Sequence, residues 1–180
     1  MTQTIEMLLN ELDMSRERLL AAIETLSDEA LTQTAAVGEW SVADVLLNLT
    51  AWESELVTAV RQLRQSKKPT RLLSALVDPD DYNQKRYEEN KGRDLDRIFN
   101  DLMKVRLELE EWLEMFSDKQ LADRKRYKWL KGQSIAQLVT QITIENENRY
   151  LPQIEQFART WDETAEIIPL TAVTLNNPDQ

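Results

Sequence analysis

The stretch WSVADVLLNLTAWE, residues 40–53, decides how this chain folds. Val42, Val45, Leu49 and Trp52 recur at steps of three and four, and Leu56, Val60 and Leu63 carry the stripe onward. One face of a helix is therefore apolar over several turns. Ser41, with Asp44 three residues on, is a capping-box-like opening: a hydroxyl and a carboxylate satisfy amide donors that a first helical turn leaves free. Asn48 stands at an inward position of this helix. Asparagine is a mediocre helix former and costs free energy when buried without partners, so the position asks for an explanation.

Three further stripes flank this one. Ile5, Leu8, Leu9, Leu12, Leu19, Leu20, Ile23 and Leu26 make the first. Leu95, Ile98, Phe99, Leu102, Val105, Leu109, Trp112, Leu113 and Phe116 make the third. The fourth opens at Ser134 with Gln137 in the capping position and runs through Ile135, Leu138, Ile142, Tyr150, Ile154, Phe157 and Trp161. Pro152 lies inside it and predicts a kink or a break. The halves echo each other: SDEAL at 27–31 and SDKQL at 117–121 each precede a tryptophan and then a capped helix start, SVA or SIA. Repeated helical hairpins point to a bundle with pseudo-twofold symmetry. The connection over residues 67–92 is too long for a tight turn. A short helical turn at Leu72–Val77 and a restart at Pro79 are expected within it, since proline suits a first helical turn. The expected architecture is all-α: a four-helix bundle over residues 1–165 with a long crossover between its second and third helices, then an extended tail over 166–180.

Composition narrows the function. The chain has 180 residues, 42% of them apolar, with three glycines, five prolines, no histidine and no cysteine. One domain with a real core is expected. Ser-His-Asp and Cys-His catalysis are excluded by composition, and three glycines cannot build a phosphate loop. Asp78, Asp80 and Asp81 read as a solvated helix start, because a proline sits among them and no calcium-loop glycine follows. A net charge of −10 argues against a nucleic-acid partner, and the cluster at Arg124, Lys125, Arg126, Lys128 and Lys131 reads as a solvated loop. No run of eighteen apolar residues predicts a membrane span, and the N-terminus does not read as a secretory signal, so a cytoplasmic location is expected.

The W-S-V-x-D-V-L-x-x-L-x-x-W-E pattern at 40–53, the TIENENRYLPQI stretch at 143–154 around Pro152 and the stretch from DDYNQKRYEEN to SDKQL together resemble the DinB-like superfamily, and within it the ClbS/DfsB branch. The likeness covers roughly residues 5–160 and implies a four-helix bundle with a pocket at one end. In metal-binding members three histidines hold a divalent ion. Carried onto this chain, those positions are Asn48, Asn146 and Tyr150, so the resemblance implies a lost metal site. Amides and a neutral phenol are poor ligands for metals that favour imidazole and thiolate. The branch includes a self-protection protein that opens a strained electrophilic ring.

The candidate pocket comprises Trp40, Asp44, Asn48, Trp52, Asn146 and Tyr150. Asp44, Asn48 and Trp52 follow one another at i, i+4, as do Asn146 and Tyr150. Two amides, a phenol and two flat apolar walls suit a small ligand with a few polar groups. Each residue also has a plainer role, Asp44 as a cap and Trp52 as core. Asn48, Asn146 and Tyr150 are expected to form one hydrogen-bonded cluster reachable from solvent. The reading is a metal- and cofactor-free bundle, monomeric or homodimeric, that binds a reactive metabolite and either hydrolyses or sequesters it, without nucleic-acid or membrane partners. Two alternatives stand beside it: a non-catalytic binding protein whose site is packed shut, and a metal enzyme with substitute ligands.

Overall fold

In the computed structural model, residues 4–166 are described, with side chains to residue 161. The four stripes form four long helical segments: α1 (Ile5–Ile23), α3 (Val42–Arg64), α6 (Leu95–Leu113), and α8 (Ile135–Ile142) continued by α9 (Ile144–Glu166). One-turn helices α2 (Asp28–Thr32) and α7 (Asp118–Ala122) follow α1 and α6, each capped by the serine of its SD motif, Ser27 or Ser117. The crossover is α4 (Thr70–Val77) and α5 (Pro79–Asn90), with Pro79 in the first turn of α5. Both expected capping boxes form, Ser41 with Asp44 and Ser134 with Gln137. The described residues hold no strand, only an isolated bridge between Val37 and Trp40. The tail expected from residue 166 falls, beyond Glu166 itself, outside the described residues.

Pro152 does not break the fourth helix; it lies inside α9. Proline has no N–H to donate to the carbonyl of Asn148, but Asn148 is at the surface, where water can supply the missing donor. The break falls instead at Thr143, whose backbone leaves the helical region (φ −101°, ψ −80°) while its hydroxyl bonds back to the Val139 carbonyl at 2.7 Å. Glu147 lies one residue further from Ser134 than Glu53 lies from Ser41, and the break at Thr143 absorbs that extra residue.

The register matters because Glu53 and Glu147 meet Arg16 and Arg106 in the middle of the bundle. Arg16 donates from Nε to Glu147 at 2.8 Å and from Nη2 to Glu53 at 2.7 Å. Arg106 donates from Nη2 to both carboxylates, and Ser15 completes the set with a bond to Glu147. All four charged side chains are at least nine-tenths buried. Burial alone would lower the pKa of the Arg106 guanidinium, but Glu53 and Glu147 outweigh it and hold it above its ordinary value. One charge comes from each long helical segment, and the sum is neutral.

This ionic layer divides the interior in two. On one side lie Leu8, Leu12, Trp52, Leu56, Leu63, Leu109, Leu113 and the buried face of α8. On the other lie Leu19, Ile23, Leu46, Leu49, Ile98, Leu102 and Ile154.

Candidate functional site

Trp40 enters the site from the turn before α3. Val37 and Trp40 exchange backbone hydrogen bonds of 2.9 and 3.1 Å, and Gly38 takes the positive φ (64°) that this tight turn requires. Asn48 and Trp52 follow on the first half of α3. Helix α5 then runs back along that half: its Tyr82 hydroxyl donates to the Ala51 carbonyl at 3.1 Å, and its Tyr87 stacks on Trp40. None of its residues is fully buried, so α5 is a polar cover and not a core helix.

The cover is fastened by Asn83. Its Oδ1 accepts from Asn48 Nδ2 and from Trp52 Nε1, both at 2.8 Å. Trp52 also packs on Tyr82 with ring centres 4.4 Å apart. Burial is the main reason that the Tyr82 phenol is pushed up to about 12, with the charge of Glu55 adding to it. At the outer edge Trp40 stacks with Tyr87, at 6.2 Å and 5°, and with Tyr150, at 6.2 Å and 28°. Burial likewise raises the Tyr150 phenol above its ordinary value, so the ring stays neutral.

Two spaces remain. A cavity of about 170 Å³ is lined by Trp52, Leu76, Pro79, Asn83, Gln141, Ile142, Glu145, Asn146 and Arg149. A much smaller one, about 10 Å³, sits among Trp40, Asp44, Leu47, Asn48, Asn83, Arg86 and Tyr87. Two atoms of its lining residues, the acceptor Asn48 Oδ1 and the donor Arg86 Nε, are buried with no partner. A space of this size is near the minimum for one water.

All six expected residues therefore surround the α5-covered region, in different roles. Asp44 is the cap partner of Ser41, accepting from its amide at 3.0 Å and its hydroxyl at 2.6 Å. Trp52 is core as well as wall, and Trp40 and Tyr150 form part of the aromatic stack. The single cluster expected of Asn48, Asn146 and Tyr150 does not form: no hydrogen bond joins them among the described residues, because Asn83 takes the Asn48 amide and Trp40 takes the Tyr150 ring. Asn83 itself was not singled out as a site residue, since an asparagine in a charged, weakly amphipathic helix carries no periodic signal.

The histidine-type metal of related bundles does not fit these residues. Amides and a neutral phenol at these positions are poor ligands for a metal that favours imidazole, and among the described residues no three Asp or Glu side chains gather as a ligand set.

No curated protein matches the chain. Among solved structures it is similar to an uncharacterised protein from Escherichia coli UTI89, at 18% identity and a TM-score of 0.70, over 89% of this chain and 95% of that one. A protein from Streptococcus pneumoniae is similar at 12% identity and a TM-score of 0.72, over 91% and 92%. The colibactin self-resistance protein ClbS, solved in complex with double-stranded DNA, is similar at 14% identity and a TM-score of 0.72, over 86% and 94%. That complex overturns the exclusion of nucleic acid drawn from net charge. Net charge sums the whole molecule, whereas a phosphate backbone is met by a local surface. No described helix is long and apolar enough to cross a membrane. The DinB superfamily model matches residues 11–154, and the chain belongs to that superfamily.

Proposed function

We propose that this chain binds a small polar organic molecule beneath α5, using amide and aromatic side chains in place of a metal centre. The observation that carries this reading is the cavity of about 170 Å³. Its size suits a single-ring or short-chain molecule, since an engineered cavity of about 150 Å³ accepts benzene. Its chemistry is mixed: Trp52, Leu76, Pro79 and Ile142 supply apolar walls, while Asn146, Gln141 and Arg149 supply donors for a carboxamide or carboxylate. Neutral amides predominate among its polar groups, with Glu145 the one carboxylate in the lining, which favours holding a ligand, or a reactive one sequestered from water, over a base-driven reaction.

The test is ligand-observed NMR and thermal shift with a panel of compact amides, carboxylates and strained electrophiles. Binding that is lost in Asn146→Leu, with the fold intact, supports the reading. No binding by any member of the panel would overturn it in favour of a second reading, a site packed shut. That reading has its own observation, the closed stack of Tyr87, Trp40 and Tyr150, which leaves about 10 Å³ beside Asn48. Nucleic acid is a separate partner class to test, because ClbS, of the same fold, has been solved with double-stranded DNA.

A further inference from the structure

The cations of this acidic chain are unevenly placed. At the C-terminal end of α3 stand Arg61, Arg64, Lys67 and Lys68, all exposed. The segment from α7 to α8 adds Lys119, Arg124, Lys125, Arg126, Lys128 and Lys131, also exposed. The two groups belong to one surface, because the buried Tyr127 donates its hydroxyl to the Leu63 carbonyl at 2.6 Å and ties the loop to the end of α3. The expected solvated loop is thus half of a larger basic face.

Three of its four arginines are held in place. Arg64 lies over the Phe116 ring at 5.9 Å, and Arg126 lies over Tyr127 at 5.4 Å with Nε on its hydroxyl at 3.1 Å. Arg124 Nε is fixed to the Gly132 carbonyl at 2.8 Å. Yet none of these cations forms an ion pair among the described residues. The cations on and beside α5 behave differently: Lys85, Arg86, Lys91 and Arg93 each have a carboxylate partner. The nearby acids include Glu6, next to Ile5, and Glu11, which lines a surface space with Gln133 and Gln137. Asp118 accepts the Ile5 amide, Asp123 accepts the Lys125 amide, and Glu114 is exposed.

We infer that this end of the bundle, where the Arg64 end of α3 meets the Arg124–Lys131 loop, docks the phosphate backbone of double-stranded nucleic acid. Clustered unpaired cations give up condensed counterions from a duplex and gain affinity without reading sequence. Fixed guanidinium groups favour bidentate phosphate contacts. Single strands are held by exposed aromatic platforms, and here Tyr127 is buried and Trp129 half-buried. A membrane-surface site needs large exposed apolar side chains, and this end offers the methionines Met7 and Met115 without an exposed aromatic. Arg64 lies about 18 Å along α3 from Trp52, the α3 residue that lines the cavity beneath α5, at 1.5 Å per residue, so the two sites are separate.

The experiment is fluorescence polarisation of the full chain with a labelled 20-base-pair duplex across a salt series, with the matching single strand and anionic phosphatidylserine vesicles as parallel probes. The duplex is expected to bind at low salt and to weaken with a log–log slope of about −3 to −5. Lys67→Glu/Lys68→Glu/Lys125→Glu/Lys128→Glu should weaken it at least about 100-fold with an unchanged thermal melt. Lys85→Glu/Lys91→Glu, reversing charge on α5, should leave it within about twofold. Absence of duplex binding at low salt would overturn the inference. So would tighter binding of the single strand, binding to vesicles alone, or equal losses in the two sets of variants.

Discussion

Arg16 and Arg106 are counterparts: Arg16 Nη1 donates to the Leu102 carbonyl at 3.0 Å, and Arg106 Nη1 donates to the Leu12 carbonyl at 2.8 Å. Each of those leucines stands one turn before the other arginine, so the two halves of the chain exchange the same contact. The two glutamates complete a neutral square in which no member can leave without stranding another charge.

That square predicts a large and non-additive response. Arg106→Met should cost about 3–5 kcal/mol, because it leaves Glu53 and Glu147 buried with too little positive charge. Arg106→Met combined with Glu53→Met should cost less than the two single changes together. Urea unfolding measures both. A loss below about 1 kcal/mol for Arg106→Met would mean the layer is not energetically coupled.

Asn83 serves two buried donors, so its removal should be felt beyond its own contacts. Asn83→Leu leaves Asn48 Nδ2 and Trp52 Nε1 without their acceptor and should cost about 1–3 kcal/mol for each donor that water cannot reach. Tryptophan emission should shift as Trp52 loses its partner. Asn83→Asp keeps an acceptor and should retain more of the stability; equal losses in the two variants would refute the assigned role.

Glu110 gives a pH-dependent test. Burial, and then the charge of Asp13, push its carboxyl above the ordinary 4.5. A raised carboxyl binds its proton more tightly in the folded state, so its contribution to stability is present below the unfolded value and is lost as pH rises through the folded one. Glu110→Gln should therefore raise Tm at pH 7 and give little or no gain at pH 4. A gain of the same size at both values would contradict this.

Tyr82 sets the alkaline limit. With its phenol pushed up to about 12, the folded state keeps the proton that the unfolded chain releases near 10. Its contribution to stability is intact below about pH 10 and disappears as pH climbs toward 12. Tyr82→Phe should flatten the fall in Tm across that window, apart from the offset due to the lost bond to Ala51. Parallel pH profiles would show that Tyr82 does not couple to folding.

The apolar stripes and serine caps made the helices, the crossover and the repeated halves legible, because a helix with a wet and a dry face writes its period into the chain. The ionic layer was readable in principle. Arg16 falls between Leu12 and Leu19, Glu53 between Leu49 and Leu56, and Arg106 between Leu102 and Leu109, each at an inward step of its stripe. Opposite charges at matching inward positions of four helices are the signal. The break at Thr143 was not readable, since Pro152 carries the stronger local penalty and only the packing of Glu147 against Arg16 and Arg106 decides which site yields. The site was legible residue by residue but not in its connections. Asn48 could be placed inward from its stripe, whereas its bond to Asn83 depends on how the crossover lies, which helical periodicity does not encode.

A helix with no fully buried residue, fastened by Asn83, Tyr82 and Tyr87, detaches at a lower free energy than the layers it covers. Amide hydrogen exchange should thus divide the molecule by lifetime, with α5 exchanging through brief local openings and the amides around Glu53 and Arg106 only through global unfolding. A guest beneath α5 would meet a gate and not a standing door. Its arrival rate would be set by the gate's opening, and its apparent affinity would be the intrinsic affinity scaled by the fraction of time that gate stands open.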